Sequence, residues 1–599
     1  YIWSLLVGCV AFATSCDLTE NVQVKADKSM IFGSKSGLEL YSNSFYKALP
    51  TLKNGFMQDK MCDVGAVSNT DTFIKQGAYN TETATSWSWG ALKNVNYFID
   101  GCNDPKYCTV EAETRDNYLG IARWFRAWFY YDKLTTYGEV PWFPNDIQSY
   151  QNDVMYKDRD SRDVIIRNLI ADLDFAYEHI QATSSTGSAT LTRWAAAALK
   201  SRVCLFEAAY RRYHNLTGLE ITPEELYREA AKAAKLVIDN SGCSLNTAAG
   251  KKGAYRDLFY SETPLTQEVI LAVCANEKSG IFGEQNWWFN ARSYGLCWSL
   301  VRSFVHTYLK QDGTPFTAAA DYAVKSFAEE MEGRDLRLEQ TVRGRNFLWD
   351  GKTAVADIKN LSLTGYQVIK YTLDESKYDG GAKNINSIPL IRYAEVLLNY
   401  AEAQAELGVI TDSEWALTVG ALRKRAGITG GTETLPTTVD SYLQRTFYPD
   451  VTSPVLLEIR RERAIELVAE GMRFDDLRRW KCGSLMETLP WSGIHIPGLE
   501  QPVDVNGDGV NDYYFTEGEV ASAPAAYKNI AVRVNQDGVG LYAEANPVSG
   551  YDLVYKTGAG DRYWYPDGRQ YLYPIPAKVI RDYRNAGYTI SQNPEWDNE

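Results

Sequence analysis

Residues 191–213, which include WAAAALKSRVCLFEAAY, and residues 223–239, which include YREAAKAAKLVID, leave little choice of local structure. Alanine is the best helix former, and a short break at Pro223 separates the two stretches. Small residues among aromatics let two helices approach closely, so the two stretches read as a helical hairpin. Stretches 111–136 and 161–181 carry the same mixture. In RYAEVLLNYAEAQAELG, Tyr393, Val396, Leu397, Tyr400 and Ala401 fall at i, i+3, i+4, i+7 and i+8, with Gly408 at the place of a helix C-cap glycine.

Together with 390–426 these stretches resemble loose tetratricopeptide-type helix pairs. The expected fold class is mainly α, with a helical frame over about 36–240 and 389–485. Between them, about 241–388, glycines and aromatics interrupt every period, and β-like runs such as EVILAVCA appear. A second irregular region, about 488–570, is rich in Gly, Pro, Asp and Tyr. Long segments without regular structure tend to carry function when ordered, so both are expected to face a ligand.

The run Ile2–Ala13 is apolar and ends in Thr14, Ser15 and Cys16 before Asp17 and Glu20. A bilayer span needs about 20 apolar residues, whereas a secretory signal needs roughly 7–15 followed by small residues. Residues 1–15 read as an export signal. Cysteine after the small residues resembles the lipobox of bacterial lipoproteins, which makes Cys16 the expected lipidation site and 16–35 an anchor and linker. Cys9 after LLVG is the rival site, with a shorter apolar segment.

A chain of 599 residues with 45% apolar and 13% aromatic content can bury a large core. Its net charge of −14 argues against nucleic acid as a partner. The ten cysteines contain no C-x-x-C pair, so neither a disulfide scaffold nor a zinc ribbon is indicated. Cys102 and Cys108 in GCNDPKYC are either a small disulfide loop or two reduced thiols.

Segment 458–480, EIRRERAIELVAEGMRFDDLRRW, is the most distinctive. Glu462, Glu466 and Glu470 recur at i, i+4 and repel one another unless basic partners lie close. Arg463, Arg473 or arginines of a neighbouring helix would serve, so the segment is expected as one helix whose alternating charges form an ion-pair seam; a catalytic carboxylate pair is the alternative. The stretch resembles the signature of the SusD/RagB family in Glu462-Arg463, Glu466-Leu467, Glu470-Gly471, Arg473, Asp476-Leu477 and Arg479-Trp480. RWFRAWFYYDKLTTYGEVPWF at 123–143, IPLIRYAEVLLNYAEAQ at 388–404, YLYPIPAKVI and QNPEW resemble further landmarks in the family's order.

The resemblance implies a SusD-like domain over 36–599, built on tetratricopeptide-like pairs and decorated by ligand-binding loops. It implies a lipoprotein of the outer membrane that binds an oligosaccharide, serves a SusC-like TonB-dependent transporter and has no catalytic activity. Some relatives import peptides, so a peptide is the alternative ligand.

Sugars present flat apolar faces edged with hydroxyls, which aromatic rings and polar side chains recognise. Two aromatic clusters outside the helical pattern are candidates. One is Trp87 and Trp89 with Asp71 before them; the other is Trp287, Trp288, Tyr294 and Trp298 with Asn290 and Arg292 among them. Both are expected on one oligosaccharide surface, while burial in the core is the plain alternative for each ring. DVNGDGVND places Asp504, Asn506, Asp508 and Asp512 around Gly509, the oxygen spacing of a Ca2+ loop, though Phe515 replaces the usual position-12 Glu. The four histidines, His179, His214, His306 and His495, form no zinc motif, and no nucleophile elbow or phosphate loop is present. A glycoside hydrolase acting through carboxylates remains the enzyme alternative.

Overall fold

The computed structural model describes residues 28–53, 57–290, 296–557 and 560–597. Cys9, Cys16, Arg292 and Tyr294 lie outside the described residues.

Helices α1 (Gly90–Asn103), α2 (Ala112–Tyr137), α3 (Arg162–His179), α4 (Arg193–Tyr213) and α5 (Pro223–Asn240) build the first half of the frame. Their starts are set by side chains: Ser161 caps α3, Thr192 caps α4, and Thr222 with Glu225 forms a reciprocal capping box before Pro223. Gly138, at φ 75°, ends α2. Alanines 195–198, 208 and 209 of α4 are buried, and this small-residue surface is what lets α3 and α5 pack against α4 from two sides. The hairpin expected at 191–239 is therefore present.

Strands β1 (Val269–Val273) and β2 (Ile388–Arg392) pair antiparallel, and β2 runs into α6 (Tyr393–Glu406). Helix α6 packs on α5, α4 and α7 (Pro454–Glu466). Gly408, at φ 71°, stands just beyond α6, as its sequence position requires. The frame is mainly α, in line with the expectation.

Two expectations need correction. Segment 458–480 is not one helix: α7 stops at Glu466, Ala469 and Gly471 take φ 64° and 79°, and α8 (Arg473–Arg479) follows. Region 488–570 is rich in loops, as expected, but is threaded by short strands that were not foreseen. Its strands β3 (Ser492–Ile496), β4 (Pro502–Val503), β5 (Tyr513–Thr516), β6 (Ala531–Arg533), β7 (Leu541–Ala545) and β8 (Tyr551–Tyr555) make two three-stranded sheets, ordered β6-β5-β4 and β7-β8-β3. Only the β5–β6 pairing is parallel. Helix α9 (Ala577–Asn585) follows.

Charge, not only apolar packing, fills the join between α7 and the rest. Glu462 meets Arg337 at 2.6 Å and Arg423 at 3.1 Å; Glu466 meets Arg392 at 2.6 Å, Arg337 at 2.8 Å and also Arg425. Glu470 meets both Arg392 and Lys370 at 2.7 Å. The seam expected from the i, i+4 carboxylates exists, but its cations come from elsewhere in the chain. Arg463 turns to Asp476 and Asn399, and Arg473 to Asp63. The arginines around Glu466 hold its carboxyl well below the usual range against the opposing effect of burial. Glu462 and Glu466 are sealed from solvent and ion-paired, so they offer no surface to a substrate, whereas Glu470, also ion-paired, borders a cavity.

Candidate ligand-binding site

The extended segment before α1 carries Trp87 and Trp89, both half-buried. Trp89 occupies the N-cap position of α1, and its ring packs on Phe129 of α2 at 5.5 Å and on Phe143 at 5.2 Å. Trp87 meets Trp89 edge-on at 5.3 Å and Tyr137 at 4.9 Å. Each ring is thus held by the core along one edge, and both line a cavity of about 1130 Å3. Tyr156 and α9 contribute to the lining, the latter through Val579, Arg581 and Tyr583. Glu82, on the segment leading to Trp87, pairs with Arg581 of α9 at 2.5 Å.

Two asparagines of the cavity wall are held in place by hydrogen bonds. Asn145 donates to Asp100 at 2.8 Å. Asn96, 1% exposed, donates to the carbonyls of Phe143 at 2.8 Å and Asn145 at 3.0 Å, while its own Oδ1 accepts no hydrogen bond. Arg581 lowers the Glu82 carboxyl below its usual range, and burial pushes the Tyr583 hydroxyl up to about 12. Aromatic walls with a few fixed polar groups suit recognition of a small organic ligand.

Ser86 and Ala91 face a second cavity, of about 660 Å3, whose walls include Trp128, Phe129, Asp132 and Lys133. Burial raises the Asp132 carboxyl and lowers the Lys133 ammonium from their ordinary values.

The other residues singled out from the sequence lie apart from the tryptophan cavity. Asp71 caps the short turn Thr72–Ile74, accepting from Phe73 N at 3.0 Å, and pairs with Lys60 at 2.7 Å. Trp287 and Trp288 sit edge to face at 4.9 Å on the short helix Gln285–Asn290, and neither lines the tryptophan cavity. Asn290 of that helix donates to Asp379 at 3.1 Å. Trp298 is 3% exposed beneath Gly65, so its ring has no free face for a solute. The two aromatic clusters therefore do not line one cavity. Lys93, Asn96, Tyr156 and the α9 residues were not foreseen; the one signal was Trp89, Lys93 and Asn96 at i, i+4 and i+7, one face of a helix.

In the 504–512 loop, Asp504 accepts from the backbone N–H groups of Gly507 at 2.7 Å and Gly509 at 2.8 Å, and Asp512 accepts from Val505 N at 2.8 Å. Gly509 takes φ 88°. Among the described residues no group of three or more His, Cys, Asp or Glu side chains is placed to hold a metal ion. Cys102 and Cys108 are free thiols. No described helix is long and apolar enough to cross a membrane.

The mainly α frame, with its two three-stranded sheets, has an architecture shared with several solved structures. A SusD-like protein from Bacteroides fragilis is 21% identical, with a TM-score of 0.64 over 95% of this chain and 98% of its own. A SusD-like carbohydrate binding protein from the same species is 19% identical, with a TM-score of 0.66 over 93% and 99%. A SusD homolog from Bacteroides thetaiotaomicron is 17% identical, with a TM-score of 0.62 over 96% and 100%. The sequence model of the SusD family matches residues 267–596, and the chain belongs to that family. No curated protein matches the chain.

Proposed function

We propose that this protein captures oligosaccharides at the outer membrane surface and passes them to a SusC-like TonB-dependent transporter, making and breaking no bond itself. The observation that carries this reading is the pair Trp87 and Trp89, fixed by core contacts on one edge and turned to a cavity of about 1130 Å3 on the other. Such rings stack on sugar faces, while Asn145, Lys93 and Arg581 supply groups for hydroxyls and substituents. The name of the carbohydrate binding relative from Bacteroides fragilis agrees with this ligand class. Lipid on Cys16 would hold the protein at the membrane, each buried CH2 adding about 0.8 kcal/mol. A Ca2+ ion in the 504–512 loop belongs to the same proposal. Burial, and then the charges of Asp504 and Asp508, raise the Asp512 carboxyl, and a divalent cation would relieve that repulsion.

The test is calorimetric titration against a panel of oligosaccharides and peptides, with chromatography of the same samples. Saccharide binding without cleavage, weakened in Trp87→Ala and Trp89→Ala, supports the reading. Peptide binding alone, or cleavage of a glycan, overturns it.

A further inference from the structure

We infer that the tryptophan cavity selects an acidic saccharide, one bearing a carboxylate or sulfate ester, through Lys93. This rests on the oligosaccharide-binding reading of the same cavity and names the class of its ligand. The ionic side chains that line the cavity are Glu82, Lys93, Lys578, Arg581 and Asp582. Four of them are matched within the wall: Arg581 with Glu82 at 2.5 Å, and Lys578 with Asp582 at 2.6 Å. Lys93 is exposed and has no carboxylate within ion-pair distance among the described residues. The cavity therefore carries one unmatched positive charge in a chain whose net charge is −14. A surface of that sign repels anions in general, so an uncompensated ammonium inside a ligand cavity acts as a discriminating group, not as part of a diffuse field.

Placement on α1 adds chemistry to charge. Trp89, Lys93 and Asn96 fall at i, i+4 and i+7, and all three line the cavity. The Asn96 side chain is fixed by its two donations to backbone carbonyls. An acidic substituent on a sugar ring stacked on Trp89, or on the next ring, would reach the Lys93 ammonium. One helix face thus offers a stacking surface and a cation for an anion.

The experiment compares an oligogalacturonate, a sulfated carrageenan oligosaccharide and a neutral oligosaccharide of equal length by calorimetry at low and high salt. At low salt at least one acidic oligomer should bind on the order of tenfold more tightly than the neutral one. Raising the salt should erode that advantage, because the screening length falls to about 3 Å at 1 M. Lys93→Met should bring the acidic and neutral affinities together, and Lys93→Arg should keep them apart; melting curves establish that both variants fold. The uronate and the sulfated oligomer, read separately, identify which anion is taken. If acidic and neutral oligomers bind equally, or if Lys93→Met keeps the full preference, the inference is overturned while the oligosaccharide reading stands. If no saccharide binding depends on Trp87 or Trp89, the underlying reading falls with it.

Discussion

Arg392 Nη1 stands 2.6 Å from Glu466 Oε1 with both side chains sealed from solvent, and the same arginine reaches Glu470 and Glu268. Removing one member of such a group leaves a buried charge without its partner. Glu466→Gln, which keeps the shape and removes the charge, should cost about 3–5 kcal/mol. Urea unfolding curves read this directly; a loss below about 1 kcal/mol would mean that the seam carries little of the stability.

Asp59 lies near the same seam and behaves in the opposite sense. Burial raises its carboxyl to about 7, only partly offset by the Gly471 N–H it accepts at 2.9 Å. The unfolded chain ionises this group near pH 4, whereas the folded chain holds its proton to about 7, so stability is lost as pH rises between the two. Asp59→Asn should therefore melt higher than the parent at pH 8, with the advantage shrinking as pH falls from 7 toward 4. A constant difference across that window would refute the assignment.

How far the sequence foretold the seam is instructive. The i, i+4 carboxylates announce that cations must be near, because unpaired they repel. They do not say which cations, since Arg337, Arg392 and Arg425 arrive through tertiary packing from 129, 74 and 41 positions away. Helices at 191–239 were legible because alanine content and capping residues act locally. The sheets of 488–570 were not, because strands such as Pro502–Val503 are two residues long and their partners are chosen at a distance. The candidate site was half legible: Trp87 and Trp89 stood out, but a ring's exposure depends on what packs over it, and Trp298 lies beneath Gly65.

That contrast sets up a mutational split. Trp298→Ala should cost about 3–5 kcal/mol of stability through an unfilled cavity in the core. Trp87→Ala should weaken saccharide binding roughly 5-fold to 150-fold, the equivalent of about 1–3 kcal/mol, with a smaller change in melting. Paired melting and titration data on both variants check this; a Trp298→Ala protein that folds normally yet fails to bind would reverse the two roles.

Anchoring is tested by fractionating cells that express the full chain. Cys16→Ala should move the protein out of the membrane fraction, while Cys9→Ala leaves it there. The reverse pattern would transfer the lipid to Cys9.

For the 504–512 loop, a chelator should lower the melting temperature and added Ca2+ restore it, because an ion bound only by the folded state stabilises that state. Asp504→Ala combined with Asp508→Ala should abolish the response. A parent protein indifferent to both additions would leave the loop as a hydrogen-bonded turn closed on its own backbone.

The tryptophan cavity joins two parts of the chain 499 positions apart: Glu82 and Trp87 on one wall, Arg581 and Tyr583 on the other. During synthesis the first wall emerges long before the second, so the pocket does not exist until residues 576–586 have been added. A copy that stops short of Arg581 would lack one wall of this cavity even with both tryptophans in place.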